Sequence, residues 1–130
     1  MIKLIAICLI SANFSCDDKE FGPEVVAKAE KCRKLIAKEW VGKEFADWSK
    51  PCPIKVAAGV FGSSGYTKYT LQNGEVFGWE MKVQGTKQGI LESVIPHEVT
   101  HCILATHFRR SIPRWADEGA AVFNEGDWEH

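Results

Sequence analysis

Apolar residues recur at steps of three and four through the first third of the chain. They are Val25, Ala29, Cys32, Ile36 and Trp40. This spacing places them on one stripe of an amphipathic helix, which the pattern predicts from residue 24 to about Gly42. The opposite face is basic and is expected to be solvated. Its residues are Lys28, Lys31, Arg33, Lys34 and Lys38.

Three β-rich runs follow the helix, at residues 54–60, 66–71 and 75–83. The last two runs are joined by Asn73 and Gly74. An Asn-Gly pair between such runs is the strongest short signal for a hairpin, because both residues tolerate positive φ. The pattern therefore predicts one short strand and then a β-hairpin.

Helical spacing returns at Gly89, and Pro96 interrupts the apolar run. Proline suits the first turn of a helix and kinks a helix interior. Either a helix begins near Pro96, or a longer helix is kinked there. A further helix is predicted after Pro113. In it, Trp115 is expected to pack against the rest of the domain and Gly119 to allow close helix approach. The alternatives are contact of Trp115 with substrate and a role for Gly119 in a substrate cleft.

Length and charge narrow the class of protein. A chain of 130 residues has room for one small domain. Its 16 basic residues are balanced by 17 acidic ones, giving a net charge of -1, so no nucleic-acid partner is expected. No apolar run reaches the roughly 20 residues that a permanent membrane-spanning helix needs.

Residues 1–16 have the layout of a secretory signal. Lys3 precedes a short apolar core, and small polar residues follow it. Cleavage near Ser15 would make Cys16 the first residue of the mature chain, which resembles a bacterial lipoprotein signal. Asn13 stands at a position where that signal has an aliphatic residue. We therefore expect residues 17–130 to be an exported domain in the periplasm, cell envelope or extracellular space. Export leaves two possibilities, plain secretion or anchoring to the membrane through acylated Cys16. The alternative to a signal is that the apolar stretch is a short buried strand or helix of the domain.

Three cysteines lie beyond the predicted signal: Cys32, Cys52 and Cys102. An odd number permits at most one internal disulfide, and Cys32–Cys52 is the first pair to test. The alternative is that all three are small buried residues. No CxxC spacing is present, which argues against a cysteine-based zinc site.

The run His97-Glu98-Val99-Thr100-His101 is an HExxH motif. On a helix, residues i and i+4 are separated by about 40° around the axis and one turn in height, so two imidazoles can hold one zinc ion. Glu98 is rotated by about 100° from His97 and flanks the metal, where it can act as general base toward zinc-bound water. The surrounding residues are apolar, and burying these side chains without a partner is costly.

A catalytic zinc requires three protein ligands and one open position. His107 has the metzincin spacing, but Leu104 replaces the glycine that lets such a chain turn back. Glu118 lies on the helix predicted after Pro113, which could fold back onto the HExxH helix. We favour Glu118 over His107 as the third ligand.

The runs PHEVTH and PRWADEGAA together resemble the gluzincin metallopeptidases. The closest resemblance is to small bacterial peptidase-MA-like proteins, whose second motif is roughly P-x-W-x-x-E-G. This resemblance implies zinc ligation by His97, His101 and Glu118, with Glu98 as general base. Gluzincins usually add a helical lobe after this motif, whereas only twelve residues follow Glu118, so the chain is either truncated at its C-terminus or a minimal member.

The expected fold is therefore an α+β, zincin-like domain: an N-terminal helix, a small mainly antiparallel sheet, then two metal-bearing helices. The expected function is a Zn2+-dependent peptidase acting on peptide or protein substrates. The resemblance places an edge strand at residues 78–83 to bind extended substrate. Candidate donors to the oxyanion are Tyr66, Tyr69, His107 and Arg114. The alternative is an exported metal-binding or scaffold protein that retains the zinc site without turnover.

Overall fold

The computed structural model describes residues 11–59 and 62–125, which form an α+β fold of one mixed sheet and three helices. The strands are β1 (Phe14–Cys16), β2 (Cys52–Ala58), β3 (Ser64–Gln72) and β4 (Glu75–Gly85). The helices are α1 (Gly22–Val41), α2 (Ile95–Phe108) and α3 (Arg114–Phe123). A helical turn (Lys87–Gly89) and a π-helical segment (Ile90–Val94) lead directly into α2.

The sheet has the strand order β1-β2-β4-β3. β1 pairs with β2 in parallel, β2 pairs with β4 in parallel, and β3 pairs with β4 in antiparallel orientation. The prediction of a mainly antiparallel sheet is therefore wrong. Helix α1 is the long crossover that allows β1 and β2 to be parallel, and β3 is on the outer side of β4 rather than beside β2.

The predicted edge strand at residues 78–83 is also wrong. That segment belongs to β4, which is paired on both sides, with Ile54 opposite Met81 on one side and Thr67 opposite Met81 on the other. The outer strand next to it is β3. The backbone groups that remain open at this side of the sheet therefore belong to β3.

The predicted hairpin between residues 66–71 and 75–83 is confirmed. β3 and β4 are joined by Asn73 and Gly74, which have φ values of 53° and 75°. Both positive angles match a two-residue turn of type I′, the turn that fits the twist of the strands.

The predicted first helix is confirmed as α1, which ends at Gly42 with φ 91°. Its apolar stripe is buried, and Val25, Ala29 and Ile36 are inaccessible to solvent. Arg33 is an exception to the predicted solvated face, because it is only 3% exposed. Its guanidinium donates a hydrogen bond to the backbone oxygen of Ala46 and covers the ring of Trp48.

The helical run after Gly89 begins before Pro96 and passes through the π-helical segment. The N–H of Ile95 donates to the carbonyl of Ile90, five residues back. Pro96 has no N–H to donate and is the second residue of α2, directly after the π-helical segment. The change of helix type thus accommodates the proline without ending the helix.

Strand β1 lies within the predicted signal, where a short buried strand or helix is the alternative, and residues 14–16 agree with that alternative. Phe14 is fully buried, and Asn13 is 2% exposed. A cut before Cys16 would remove both from the folded domain. Residues 1–10 of the predicted signal lie outside the described residues, and export stays a prediction. None of the described helices is long and apolar enough to cross a bilayer.

The described cysteines are Cys16, Cys32, Cys52 and Cys102, and they are buried as thiols rather than in disulfides. The proposed Cys32–Cys52 disulfide is therefore not formed. The alternative, small buried residues in the core, is confirmed for Cys32, Cys52 and Cys102. Burial raises the pKa of the Cys52 and Cys102 thiols, that of Cys52 to about 12.

Candidate metal centre

The HExxH motif lies in the first two turns of α2, as its apolar surroundings predicted. The rings of His97 and His101 are neighbours, with centroids 5.0 Å apart. One ligand atom from each of His97, Glu98 and His101 lies within 4.8 Å of the others. The side chains of the two histidines are 20% and 12% exposed, so both imidazoles are accessible from the surface at one edge.

Glu118 on α3 faces both imidazoles. Its Oε1 lies 3.3 Å from Nε2 of His97 and 3.3 Å from Nε2 of His101. Two ligands of one tetrahedral zinc, each about 2.0–2.1 Å from the metal, would be separated by about 3.3 Å. The three side chains therefore fit the ligand set of a zinc ion, although their role as ligands stays a prediction.

The connection between α2 and α3 makes this approach possible. α2 ends at Arg109, which has φ 54°, so the chain leaves the helix axis there. Pro113 precedes the first residue of α3, and the N–H groups of Ala116 and Asp117 donate to its carbonyl. The reversal over residues 109–113 brings the first turns of α3 beside the HExxH residues.

His107 does not join the centre. Its ring lies against the rings of Phe45 and Phe108, at centroid distances of 6.3 and 4.8 Å. It borders a groove of about 530 Å³ between the ends of α1 and α2 and one side of α3. Because α2 continues to Phe108 without turning back, His107 points away from His97 and His101.

Each candidate histidine ligand has a carboxylate on its second ring nitrogen. Nδ1 of His101 is 2.7 Å from Oδ1 of Asp117, and Nδ1 of His97 is 2.6 Å from Oε1 of Glu125. Carboxylates in this position fix the tautomer and orientation of metal-binding histidines. Sequence analysis did not identify Glu125, because it follows the end of α3 and belongs to neither motif.

Acidic side chains surround the imidazole of His101. Burial opposes the charge, but the hydrogen bond and charge of Asp117, with the charges of Glu98 and Glu118, raise the pKa of His101 above its ordinary value. The same negative charges would favour any cation placed between the imidazoles.

Glu98 is 4% exposed, and burial raises its pKa above the ordinary value. The hydrogen bond from Thr67 and the charges of His101 and His97 act in the opposite direction, and the charge of Glu118 raises the pKa further. The hydroxyl of Thr67 donates to Oε1 of Glu98 over 2.7 Å. A raised pKa makes the carboxylate of Glu98 a stronger proton acceptor.

A cleft of about 330 Å³ opens at the centre, between β3 and α3. It is lined by Gly65, Tyr66, Thr67 and Tyr69 of β3 and by the side chains of His97, Glu98, His101, Asp117 and Glu118. Of the four candidate oxyanion donors, Tyr66 and Tyr69 border this cleft, whereas His107 and Arg114 do not. Burial and the charge of Asp117 raise the pKa of Tyr69, so its hydroxyl keeps its proton.

The outer face of α3 differs from the prediction. Trp115 is 80% exposed, so it does not pack α3 against the described part of the domain. A Cβ built at Gly119 would meet no atom within 4 Å, so close helix packing does not explain this glycine. Val122 is also exposed, at 58%. Trp115, Gly119 and Val122 lie on the same side of α3 as Glu118.

Comparison with known proteins identifies no relative. No family model, no curated protein and no solved structure matches the chain. The functional assignment therefore depends on the geometry of the site and on the sequence motifs.

Proposed function

We propose that this protein is a zinc-dependent peptidase whose metal is held by His97, His101 and Glu118. One observation carries the proposal: a single carboxylate oxygen of Glu118 lies 3.3 Å from Nε2 of both histidines. Two imidazoles and one carboxylate form a ligand set used by catalytic zinc, which retains an open fourth position. The cleft beside these residues leaves space for that position.

Glu98 is the proposed general base. Bound zinc would supply a Lewis acid that polarises the substrate carbonyl and acidifies a water molecule. Thr67 holds Oε1 of Glu98, which leaves Oε2 to accept the proton of the attacking water. Glu98 then delivers that proton to the amine of the departing peptide. The phenol groups of Tyr66 and Tyr69 are the proposed donors to the oxyanion.

An extended peptide is the substrate that best suits this cleft. β3 forms one wall, and β3 pairs with β4 along one side only. The free side of β3 can pair with a peptide through main-chain hydrogen bonds, as in β-augmentation. Such pairing would hold a scissile carbonyl beside Glu98, whose carboxylate already contacts Thr67 of this strand.

The sequence motifs support the same proposal. HExxH and W-x-x-E-G, with Glu118 as the glutamate, resemble the two motifs of gluzincins. A mixed sheet followed by two helices that meet at the motif residues is compatible with a zincin-like fold. The zincin-like assignment is part of the proposal.

Substitution of Glu98 by glutamine tests the peptidase. Glu98→Gln can still accept the hydrogen bond from Thr67 and should bind zinc stoichiometrically, but it cannot take up a proton. Hydrolysis of a peptide library should fall by at least about 10²–10⁴-fold. Glu92→Gln is a matched control, because Glu92 precedes the same helix and contacts Gln88 instead of the centre. Unchanged cleavage by Glu98→Gln would refute the mechanism.

A second candidate is an exported metal-binding or scaffold protein without turnover. The exposed face of α3 favours it, because the described residues place nothing over Trp115 and Gly119 beside Glu118. Metal analysis with the peptide-library assay separates the candidates. One zinc per chain without cleavage supports the second candidate, whereas no bound zinc and no loss of stability with a chelator contradict both.

A further inference from the structure

The two histidines receive their carboxylate partners from different parts of the chain. Asp117 lies in the first turn of α3, next to Glu118 in sequence. Glu125 lies beyond the last residue of α3, seven positions after Glu118. Its Oε1 is nevertheless 2.6 Å from Nδ1 of His97, the same kind of contact that Asp117 makes with His101.

We infer that Glu125 is a positioning residue of the metal centre, which holds His97 as the tautomer that binds metal through Nε2. The metal in this inference rests on the proposed function, whereas the contact between Glu125 and His97 does not depend on it. Nδ1 and Nε2 are on opposite sides of the ring, and Nε2 faces Glu118. Glu125 is therefore placed behind His97 and outside the proposed ligand set.

The chemistry of this contact assigns the proton. An ionised carboxylate only accepts hydrogen bonds, so Nδ1 of His97 must be the donor. A neutral imidazole with its proton on Nδ1 has a lone pair on Nε2, directed toward Glu118. Without this partner, the proton could occupy either nitrogen, and the ring would lose a contact that fixes its orientation.

The position of Glu125 is fixed by its neighbour in the chain. Asn124 is fully buried, and its amide nitrogen donates to Oγ1 of Thr100 over 3.0 Å. Its amide oxygen accepts a hydrogen bond of 3.3 Å from Nε1 of Trp40. These bonds tie the end of α3 to α2 and α1. Glu125 is thereby held one residue from an anchored point, rather than on a free tail.

The test compares Glu125→Ala and Glu125→Gln with the parent, with Glu92→Gln as control. Glu92 borders the same surface depression as Glu125 but bonds to Gln88. Zinc affinity is measured by competition with a chromophoric chelator at fixed pH. Independently, ¹⁵N NMR of the metal-free protein reports which nitrogen of neutral His97 carries the proton.

We expect Glu125→Ala to weaken zinc binding by about 10–100-fold. Neutral His97 should change from the tautomer protonated at Nδ1 to a mixture of its two tautomers. Glu125→Gln, which keeps an acceptor oxygen at the same length, should lose less in both measurements. Glu92→Gln should match the parent. Circular dichroism confirms that each variant is folded, and Glu125→Gln replaces Glu125→Ala as the test if the latter unfolds.

Unchanged zinc affinity and unchanged His97 shifts in Glu125→Ala would overturn the inference. An equal loss of affinity in Glu92→Gln would also overturn it, because the effect would then be general electrostatics. If the parent binds no zinc, the proposed function fails, and the tautomer comparison alone decides the role of Glu125: a shift of the proton supports it, and no shift overturns it.

Discussion

Thr67 on β3 and Glu98 on α2 are joined by a hydrogen bond of 2.7 Å, from the threonine hydroxyl to Oε1 of the carboxylate. The same hydroxyl lies 3.4 Å from the backbone oxygen of Glu98. Glu98 is buried, so this bond supplies a partner for one of its two carboxylate oxygens. The outer strand of the sheet thus sets the orientation of the proposed general base.

Replacing Thr67 by valine keeps the side-chain shape and removes the donor. The bond lowers the pKa of Glu98, so Thr67→Val should raise that pKa further. The variant should lose about 1–3 kcal/mol of unfolding free energy where Glu98 is ionised. The loss should be smaller at low pH, where the carboxyl is protonated in both proteins and the hydroxyl bonds only neutral oxygens. It should grow as the pH rises through the raised pKa of Glu98 in the folded proteins.

Urea unfolding across this pH range measures the effect, and Thr67→Ser provides the control because it retains the hydroxyl. A difference between Thr67→Val and the parent that does not change with pH would show that the bond does not depend on the charge of Glu98.

Gly65 allows β3 to approach α2. A Cβ at this position would lie 2.8 Å from the backbone oxygen of Lys82, 2.8 Å from Cγ1 of Val94 and 3.2 Å from Cγ of Glu98. We expect Gly65→Ala to destabilise the fold by about 1–3 kcal/mol, as overpacking does elsewhere, and to reduce hydrolysis by displacing Glu98.

Gly62→Ala is the matched control, because a Cβ there meets nothing within 4 Å. Thermal unfolding of both variants measures the difference. Equal melting temperatures for the two alanine variants would mean that β3 can move away from α2 without cost.

Local patterns in the sequence predicted the parts of the fold that short-range physics determines. The Asn73-Gly74 turn follows from backbone preference, and α1 follows from its apolar period. The approach of Glu118 to His97 and His101 was anticipated from the HExxH spacing and from Pro113, which starts a new helix.

The remaining features depend on contacts between distant segments. β1 is three residues long and lies in a segment with the composition of a signal, so no period reveals it. Arg33 is buried because the loop after α1 supplies Ala46 and Trp48 as partners, and periodicity does not place that loop. Glu125 reaches His97 only because Asn124 is anchored on Thr100.

Asn13 should be a strong determinant of stability. Its side-chain oxygen accepts a 2.8 Å hydrogen bond from the N–H of Trp48, and its amide nitrogen donates to Asp47 and Glu30. Asn13→Ala removes the acceptor of the Trp48 N–H and the amide donor to Asp47 and Glu30, and should cost about 1–3 kcal/mol. Glu30 still accepts from the Ser11 hydroxyl and from the backbone N–H of residue 13. Asn13→Asp should cost more at pH 7 than at pH 4, because it adds a carboxylate beside two others.

Ser15→Ala, two residues further on in β1, should change the unfolding free energy by less than about 0.5 kcal/mol. Chemical denaturation at the two pH values measures all three variants. Asn13→Ala with the stability of Ser15→Ala would show that the hydrogen bonds of the Asn13 side chain contribute little to the fold.

Cys52 should make the fold sensitive to alkali. Its pKa is raised from an ordinary value of 9.0 to about 12, by burial first and by the charge of Glu80 second. Between these values the unfolded chain releases the thiol proton and the folded chain keeps it, so the unfolded state binds fewer protons and stability falls as the pH rises. The stability contribution is complete below pH 9 and decreases by about 1.4 kcal/mol per pH unit above it.

Cys52→Ala removes this pH-dependent contribution to the unfolding free energy. The packing energy that is lost with the side chain does not change with pH. The unfolding free energy of the parent minus that of Cys52→Ala should therefore decrease from pH 9 to pH 11, as measured by guanidinium denaturation with a reductant present. The pKa of Cys102 is raised in the same direction, by burial first and by the charge of Cys52 second. The difference therefore also contains the electrostatic interaction between the two thiols, which acts in the same direction. A constant difference over this range would show that water reaches the Cys52 thiol in the folded state.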